Sequence, residues 1–248
     1  MKMIHKNELK YIQSFAHKKH WAEESVFIIE GPKMMEELMA SEWVIRQAYA
    51  TKEWIESQPF KPHYVTEVAD FELDKLTQLH KANQVIALVE KKQIKGPIQL
   101  KGKMTLCLDG IQDPGNLGTI IRLSDWFGVN EIVCSNNTVD CYNAKVVQAS
   151  MGSLTRVNIT YTDLELYLKN TEKPKFASLM NGKNVYKTKL PKDAILVMGN
   201  EANGISESVL KLMDNSVSIP RFGNLKQTES LNVATATAIL LSEFKRLT

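Results

Sequence analysis

Three loops in the second half of the chain combine glycine or proline with side chains that can hold a ligand. In the first loop, the strand candidate Thr105–Ile111 runs into DPGN, and Arg122 follows Asn116 on a predicted helix, Asn116–Phe127. Because ligands bind outside the carboxyl ends of parallel strands, Asn116 and Arg122 are candidates for a ligand site. The alternative is an asparagine that only caps the helix and an arginine that only meets solvent.

The second loop follows an apolar strand candidate, Ala194–Gly199, and reads NEANGIS. Gly199 and Gly204 allow a backbone to approach a ligand closely. Glu201 follows a strand that reads as covered on both faces, where a carboxylate needs a partner. The alternative is an ordinary turn in which Ser206 caps the next helix.

The third loop follows a short strand candidate, Val217–Pro220, and ends at Ser230-Leu231-Asn232. These three residues open a predicted helix, Glu229–Phe244, which is rich in alanine and threonine. Small residues suit close packing of helices, in the core of the fold or in a dimer. The loop can therefore serve packing alone or packing together with a ligand site.

Alternating strands and helices must position these loops. In the second half, repeated strand–helix units predict a mostly parallel sheet with helices on both faces. The first 95 residues also alternate strands with helices, which predicts a small α/β domain. The lysine-rich segment KKQIKGPIQLKGK separates the two parts. We therefore expect domains at 1–95 and 104–248, joined by a linker at 96–103.

Charge, cysteine and histidine content exclude several classes of protein. The net charge is +3, from 31 basic and 28 acidic residues, which excludes a histone-like polycation but not a local basic face. All five histidines fall in the first 80 residues, so chemistry in the second half proceeds without an imidazole of its own. Three cysteines without a C-x-x-C pair favour neither a disulfide framework nor a zinc site. No apolar leader and no run of 18 apolar residues is present, which predicts a soluble, cytoplasmic protein.

Several well-known catalytic motifs are missing. The sequence has no G-x-G-x-x-G after a strand, no P-loop, no G-x-S-x-G elbow and no H-E-x-x-H. A Rossmann dinucleotide site, a nucleotide triphosphatase, a serine hydrolase and a metal site are therefore not expected.

The three loops, in this order, resemble the three motifs of the SpoU (TrmH-type) family of RNA 2′-O-ribose methyltransferases, in the SPOUT class. The first motif, N-x-G-x-x-x-R, is matched by Asn116, Gly118 and Arg122. The second, G-N-E-x-x-G, begins at Gly199. The third, I-P followed by S-L-N-V, begins at Ile219. The segment FIIEGPKMMEELM in the first domain resembles, more loosely, the ribosomal-protein-like domain that binds RNA in many members.

The resemblance implies a fold, a cofactor and an assembly. The parallel sheet would carry a deep trefoil knot, and the protein would act as a homodimer. The knotted loops would bind S-adenosyl-L-methionine, and no metal is implied. The cofactor-binding residues would be Gly199, Asn200, Gly204, Ile219 and Leu231.

The resemblance also implies catalytic roles. Arg122 would help to remove the proton of a ribose 2′-hydroxyl, or would clamp an RNA phosphate with its guanidinium fork. Asn116 would hold the RNA or the arginine, and Glu201 would orient Asn116, Arg122 or the loop. Ser230 and Asn232 would fix the third loop and the substrate.

The substrate is expected to be structured RNA, and 23S rRNA rather than tRNA, because separate N-terminal domains recur in rRNA-modifying members. Alternatives are a tRNA methyltransferase and a non-catalytic RNA-binding or ribosome-assembly protein on the same fold. Seven lysines between residues 169 and 192 could form a basic face with Lys145, Arg156 and Arg221, or only a solvated loop. The segment RFGNLKQTE between Pro220 and Ser230 is longer than is usual in the family.

Overall fold

The structure is a computed structural model, described over residues 4–15, 23–79, 81–92, 96–97, 102–223 and 230–246. The chain divides into two compact units. The first unit is Met1–Gln93 with Tyr142–Thr155, and the second is Ile94–Cys141 with Arg156–Thr248. Residues 98–101 of the expected linker lie outside the described residues, and the domain bounds at 1–95 and 104–248 stay a prediction.

The first unit is a four-stranded mixed sheet with helices. Its strands are β1 (Val26–Glu30), β2 (Ile45–Ala50), β3 (Val65–Glu67) and β4 (Val85–Glu90), in the order β1-β4-β2-β3. β4 pairs antiparallel with β1 and β2, and β2 pairs parallel with β3. Its helices are α1 (Lys6–Ser14), α2 (Pro32–Met39), α3 (Lys52–Ser57), α4 (Asp70–Leu76) and α6 (Ala144–Ser150). The alternation expected from the sequence is confirmed.

Apolar residues of α1 and α4 cover one face of this sheet. Ile12 and Leu73 are buried against Ile28, Tyr49 and Ile86. Burial of this kind is the main favourable term in folding. The first unit therefore has a hydrophobic core of its own.

The second unit is a six-stranded sheet in which every pairing is parallel. Its strands are β5 (Thr105–Asp109), β6 (Glu131–Ser135), β7 (Asn158–Thr162), β8 (Lys175–Asn184), β9 (Ile195–Gly199) and β10 (Asn215–Ser218), in the order β10-β8-β9-β5-β6-β7. Its helices are α5 (Pro114–Trp126), α7 (Leu164–Lys169), α8 (Glu207–Leu210) and α9 (Val233–Lys245), with short 3-10 helices at Val185–Lys187 and, in the first unit, Ser153–Thr155. The parallel-sheet fold is confirmed, and its strand order fits a knotted passage of the chain.

Two boundaries differ by four residues from those that the sequence predicts, and others by one or two. The segment Phe176–Met180 predicts a strand, but β8 extends to Asn184, because its register against β10 shifts after Ala177 and resumes at Lys183. α9 begins at Val233 rather than at Glu229, because the Asn232 side chain accepts the N–H groups of Ala234 and Thr235 as an N-cap. Helices α7 and α8 were not predicted.

Neither a membrane-spanning helix nor a cluster of metal-binding side chains is present among the described residues. Among them, no helix has the length and apolar character needed to span a membrane. The same residues contain no group of three or more histidine, cysteine or acidic side chains arranged to hold a metal ion. The three cysteines, Cys107, Cys134 and Cys141, are buried and form no disulfide with one another.

Candidate functional site

The first two loops start side by side at the carboxyl edge of the second unit's sheet. β5 and β9 are neighbours, and Asp109, the last residue of β5, is in register with Gly199, the last residue of β9. β10 lies two strands from β9 in the same parallel sheet, so Ile219 and Pro220 leave from the same edge. Strand order thus brings together three loops that are distant in the chain.

A buried hydrogen-bonded link ties the first loop to the second. The Asp109 carboxylate is buried, and its Oδ2 accepts both the N–H and the hydroxyl of Ser206, each at 2.8 Å. Ser206 therefore occupies the N-cap position of α8 without capping it, because its hydroxyl is committed to Asp109. We name the pair Asp109–Ser206 the inner link.

Asn200 holds the second loop from within. Its Nδ2 donates to the carbonyl of Gly110 at 2.6 Å, and its Oδ1 accepts the N–H groups of Ala202 and Asn203. Its backbone exchanges two hydrogen bonds of 2.9 Å with Gly204. Asn200 therefore shapes the loop, and both ends of its side-chain amide are already bonded within the protein.

The position of Gly199, at the start of this loop, leaves no room for a side chain. A Cβ on Gly199 would lie 2.3 Å from the backbone carbon of Gly204 and 2.3 Å from the nitrogen of Ile205. Gly204 has φ of +70°, and a Cβ there would meet nothing within 4 Å. The backbone of the loop thus packs directly against Gly199, whereas the Cβ direction of Gly204 faces open space.

The N-cap of α5 is Asp113 and not Asn116, so this expectation was wrong. The helix begins at Pro114, and the Asp113 Oδ1 accepts the N–H of Asn116 at 2.7 Å. Proline at the first helical position makes this earlier start favourable. Asn116 consequently lies on the first turn of the helix, with its side chain free to bond elsewhere.

A second chain of hydrogen bonds joins all three loops through Asn116. The Asn116 Nδ2 donates to Glu201 Oε1 at 2.7 Å, and the Asn116 Oδ1 accepts from Asn232 Nδ2 at 2.8 Å. Helices α5 and α9 pack against each other, which brings Asn232 to the first turn of α5. We name Asn232–Asn116–Glu201 the outer chain, because Glu201 and Asn232 are exposed and Asn116 is half-buried.

Arg122 lies two turns further along α5, on its exposed side. Its guanidinium forms no hydrogen bond or ion pair with any other residue that the structure describes. The structure therefore brings Asn116, Glu201 and Asn232 together and leaves Arg122 outside this set. A guanidinium that pairs with no described residue can bind an anion from solution.

The remaining predicted residues line the third loop. Ile219 is half-buried just past β10, whereas Ser230 and Leu231 are exposed, with 49% of Leu231 accessible. Residues 224–229, which form most of the unusually long segment, lie outside the described residues. Leu231 thus presents an apolar side chain to solvent at the start of the last helix.

The predicted basic face is only partly available. Lys169, Lys173 and Lys175 form ion pairs with Glu165, Asp193 and Asp214, and Arg156 pairs with Asp125. The other four lysines of the stretch are exposed and have no ion-pair partner among the described residues: Lys183, Lys187, Lys189 and Lys192. Lys145 belongs to the first unit.

Sequence reasoning missed two residues of this arrangement, Asp109 and Asp113, and gave Ser206 only the role of a helix cap. A carboxylate at the last position of an apolar strand, as in TLCLD, is the signal that could have revealed Asp109. Asp before Pro at a helix start could have revealed Asp113. Ser206 carries no such signal, because its partner lies 97 residues away.

Comparison with family models matches the two parts of the chain separately. Residues 103–242 match the model described as the SpoU rRNA methylase family. Residues 6–87 match the model described as an MRM3-like substrate-binding domain. The chain is thus similar to members of one family over more than half of its length.

Individual relatives match the whole chain. It is 28% identical over 229 residues to the 23S rRNA (guanosine(2553)-2′-O)-methyltransferase RlmP of Bacillus subtilis, covering 90% of each protein. Among solved structures, a putative TrmH-family RNA methyltransferase from Porphyromonas gingivalis is 32% identical, with a TM-score of 0.88 and full coverage of both chains. An AdoMet-bound rRNA methyltransferase from Sinorhizobium meliloti is 26% identical, with a TM-score of 0.85, and covers 100% of this chain and 97% of that one.

Proposed function

Because the chain belongs to the SpoU rRNA methylase family, we propose that it methylates a ribose 2′-hydroxyl of RNA with S-adenosylmethionine as the methyl donor. The observation that carries the proposal is the outer chain, which joins the three motif loops through Asn116 on the helix that also carries Arg122. We further propose that residues 1–95 bind the RNA, that 96–103 link the parts, and that 104–248 catalyse the transfer.

The second and third loops fit the cofactor. Backbone groups of Gly199, Asn200 and Gly204 would hold its polar part, and Ile219 and Leu231 would cover its apolar part. When bound, S-adenosylmethionine supplies a methyl group on a positively charged sulfur, which needs no further activation. The protein therefore has only to hold the hydroxyl in line and to assist the loss of its proton.

Arg122 is proposed to act on the RNA nucleotide that is methylated. A guanidinium stays charged at neutral pH, so it binds a phosphate well and removes a proton only with difficulty. We therefore assign it first to the phosphate next to the target ribose, where its charge also favours loss of the hydroxyl proton. No histidine in residues 96–248 competes for the role of base.

The outer chain is proposed to position the substrate. The carboxylate of Glu201 fixes the amide of Asn116, and Asn232 fixes its other end. Because both the Nδ2 and the Oδ1 of Asn116 are bonded, its side chain keeps one orientation. The first turn of α5 is thereby held in a fixed position relative to the other two loops. Ser230 lies two residues before Asn232 and is proposed to contact the RNA or the cofactor.

The proposed substrate is 23S rRNA. The relative that matches 90% of this chain is named for that molecule, and its match includes the N-terminal part. We also propose a homodimer in the cytoplasm. Sedimentation velocity can test the homodimer, which the family resemblance implies.

Methyl transfer in vitro tests the proposal. The protein is incubated with tritiated S-adenosylmethionine and total RNA from a strain that lacks its gene, and labelled RNA is separated by size. Label is expected in 23S rRNA, at one ribose that is unmethylated in the deletion strain. Label in tRNA alone would correct the substrate, and binding of RNA without any label would indicate a non-catalytic RNA-binding protein.

A further inference from the structure

Two aromatic rings lie exposed side by side next to the third loop. Tyr186 belongs to the 3-10 helix Val185–Lys187 that follows β8, and Phe222 lies two residues after Pro220. Their ring centroids are 6.4 Å apart and their planes differ by 29°, so the rings are stacked. Phe222 is 81% accessible and Tyr186 is 42% accessible. Apolar rings left in water in this way mark a binding surface.

The backbone beneath the Tyr186 ring is held in place. Val185 is buried, and the Asn184 side chain accepts the N–H of Tyr186 at 2.9 Å. The strand that leads to Phe222 is also tied to this region, because the Ser218 hydroxyl donates to the carbonyl of Gly182 at 2.8 Å and joins β10 to the end of β8. A base that stacks on Tyr186 therefore meets a backbone that is already ordered, which lowers the entropy cost of binding.

Positive charge surrounds the pair. Lys183, Lys187 and Lys189 are exposed, and no described residue forms an ion pair with them. Arg221, which directly precedes Phe222, lies with its Nη2 3.9 Å from Met180 Sδ. The sequence from Lys173 to Lys192 contains no acidic residue. We call Tyr186 and Phe222, with the three lysines, the aromatic ledge.

We propose that the aromatic ledge binds an unpaired base of the RNA substrate by stacking, while its lysines meet the adjacent phosphates. Aromatic rings among cations are how proteins hold single-stranded nucleic acid. A second protein would be a poorer match, because lysine is depleted at the centre of protein interfaces. The ledge is linked to the reaction site, since the 3-10 helix packs against α9, whose N-cap Asn232 belongs to the outer chain. The inference rests on the proposed function and adds that the target lies beside a single-stranded nucleotide.

Four single variants separate stacking from other effects. Phe222→Ala and Tyr186→Ala remove a ring, Phe222→Leu keeps apolar volume without a ring, and Phe222→Tyr keeps the ring. Leu166→Ala removes an exposed apolar side chain elsewhere in the second unit and is the matched control. All of these side chains are exposed, so the thermal midpoint should stay at the wild-type value.

Binding is measured by fluorescence anisotropy with short oligoadenylate and with a duplex of the same length. Oligoadenylate affinity should fall about 5- to 100-fold in Phe222→Ala and Tyr186→Ala, the effect of losing one stacked base. The oligoadenylate affinity of Phe222→Leu should fall nearly as far, whereas that of Phe222→Tyr and of the control Leu166→Ala should stay at the wild-type value. The affinity for the duplex should not change in any variant. In methylation of 23S rRNA, the KM for RNA should rise and the Kd for S-adenosylmethionine should stay constant.

Three results would overturn the inference. These are unchanged oligoadenylate affinity in both alanine variants, an equal loss of S-adenosylmethionine affinity, and a shift from dimer to monomer with RNA affinity intact. Failure of the proposed function is a separate result. In that case the protein would methylate no RNA, but Phe222→Ala would still weaken the binding of oligoadenylate relative to wild type.

Discussion

The inner link and the outer chain lie at the same edge of the same sheet but differ in their surroundings. Asp109–Ser206 is a charged link whose carboxylate is buried. Asn232–Asn116–Glu201 consists of two amides and an exposed carboxylate that water can reach. A buried charge that loses its partners is costly, whereas an exposed hydrogen bond exchanges with water at little cost. We infer that the inner link holds the fold together and that the outer chain and Arg122 serve the reaction.

Arg122→Ala has the largest expected effect, and it should fall on the reaction alone. Methylation of 23S rRNA should decrease about 100- to 10,000-fold, because the charge beside the developing alkoxide is lost. The urea midpoint should be unchanged, since the side chain has no partner among the described residues. Arg122→Lys keeps the charge without the fork, so it should recover part of the rate. Equal methylation by wild type and Arg122→Ala would falsify the assigned role.

Gly199→Ala should affect both the fold and the reaction. The added Cβ would overlap two backbone atoms of the second loop, so the loop must shift at a cost of about 3 kcal/mol. Urea unfolding and S-adenosylmethionine affinity should both weaken. Gly223→Ala is the matched control, because a Cβ there meets nothing within 4 Å. Equal stability of the two variants would show that the close approach at Gly199 is not a constraint.

Asp109→Ala should lower the free energy of unfolding by about 2 kcal/mol, because the Ser206 N–H and hydroxyl lose a charged acceptor. Ser206→Ala removes only the hydroxyl and should cost about half as much. The reaction rate of the fraction that remains folded should change little. If Asp109→Ala instead lost most of its methylation rate while its free energy of unfolding stayed at the wild-type value, the inner link would serve the reaction. The inner link and the outer chain would then not differ in role.

The smallest effect is expected within the outer chain itself. Asn116→Ala and Glu201→Ala should each slow methylation, and in a double-mutant cycle their effects should couple by about 1 kcal/mol. Glu201→Gln retains an acceptor for the Asn116 amide and should keep most of the rate. Strictly additive effects would indicate that the two side chains act independently.

Much of the fold could be predicted from local patterns. Short apolar runs such as TLCLD and ILVMG located β5 and β9 to within two residues, because the burial of a strand depends on its own side chains. The pattern failed at β8, where the end of the strand is set by pairing with β10 and not by its own composition.

The candidate site was predicted in composition and in part in its bonding, since the expected link between Glu201 and Asn116 is present. Asn116, Glu201 and Asn232 were named from three separate motifs, and the structure joins them in one chain. The role expected of Asn116 as a helix cap was wrong, because Asp113 caps α5 instead. Ser206 likewise turned from a cap into a partner of Asp109.

By itself, the sequence determined the strands, the order of the three loops and the residue types that they carry. It also determined that the second half has no histidine, so that any proton transfer there proceeds without an imidazole of its own. Only the tertiary structure decided the partners, which lie 85, 97 and 116 residues apart along the chain. Pairs so distant meet because β5 and β9 are neighbours in register and α5 packs on α9. That sheet order is a property of the whole chain, which no local window of sequence contains.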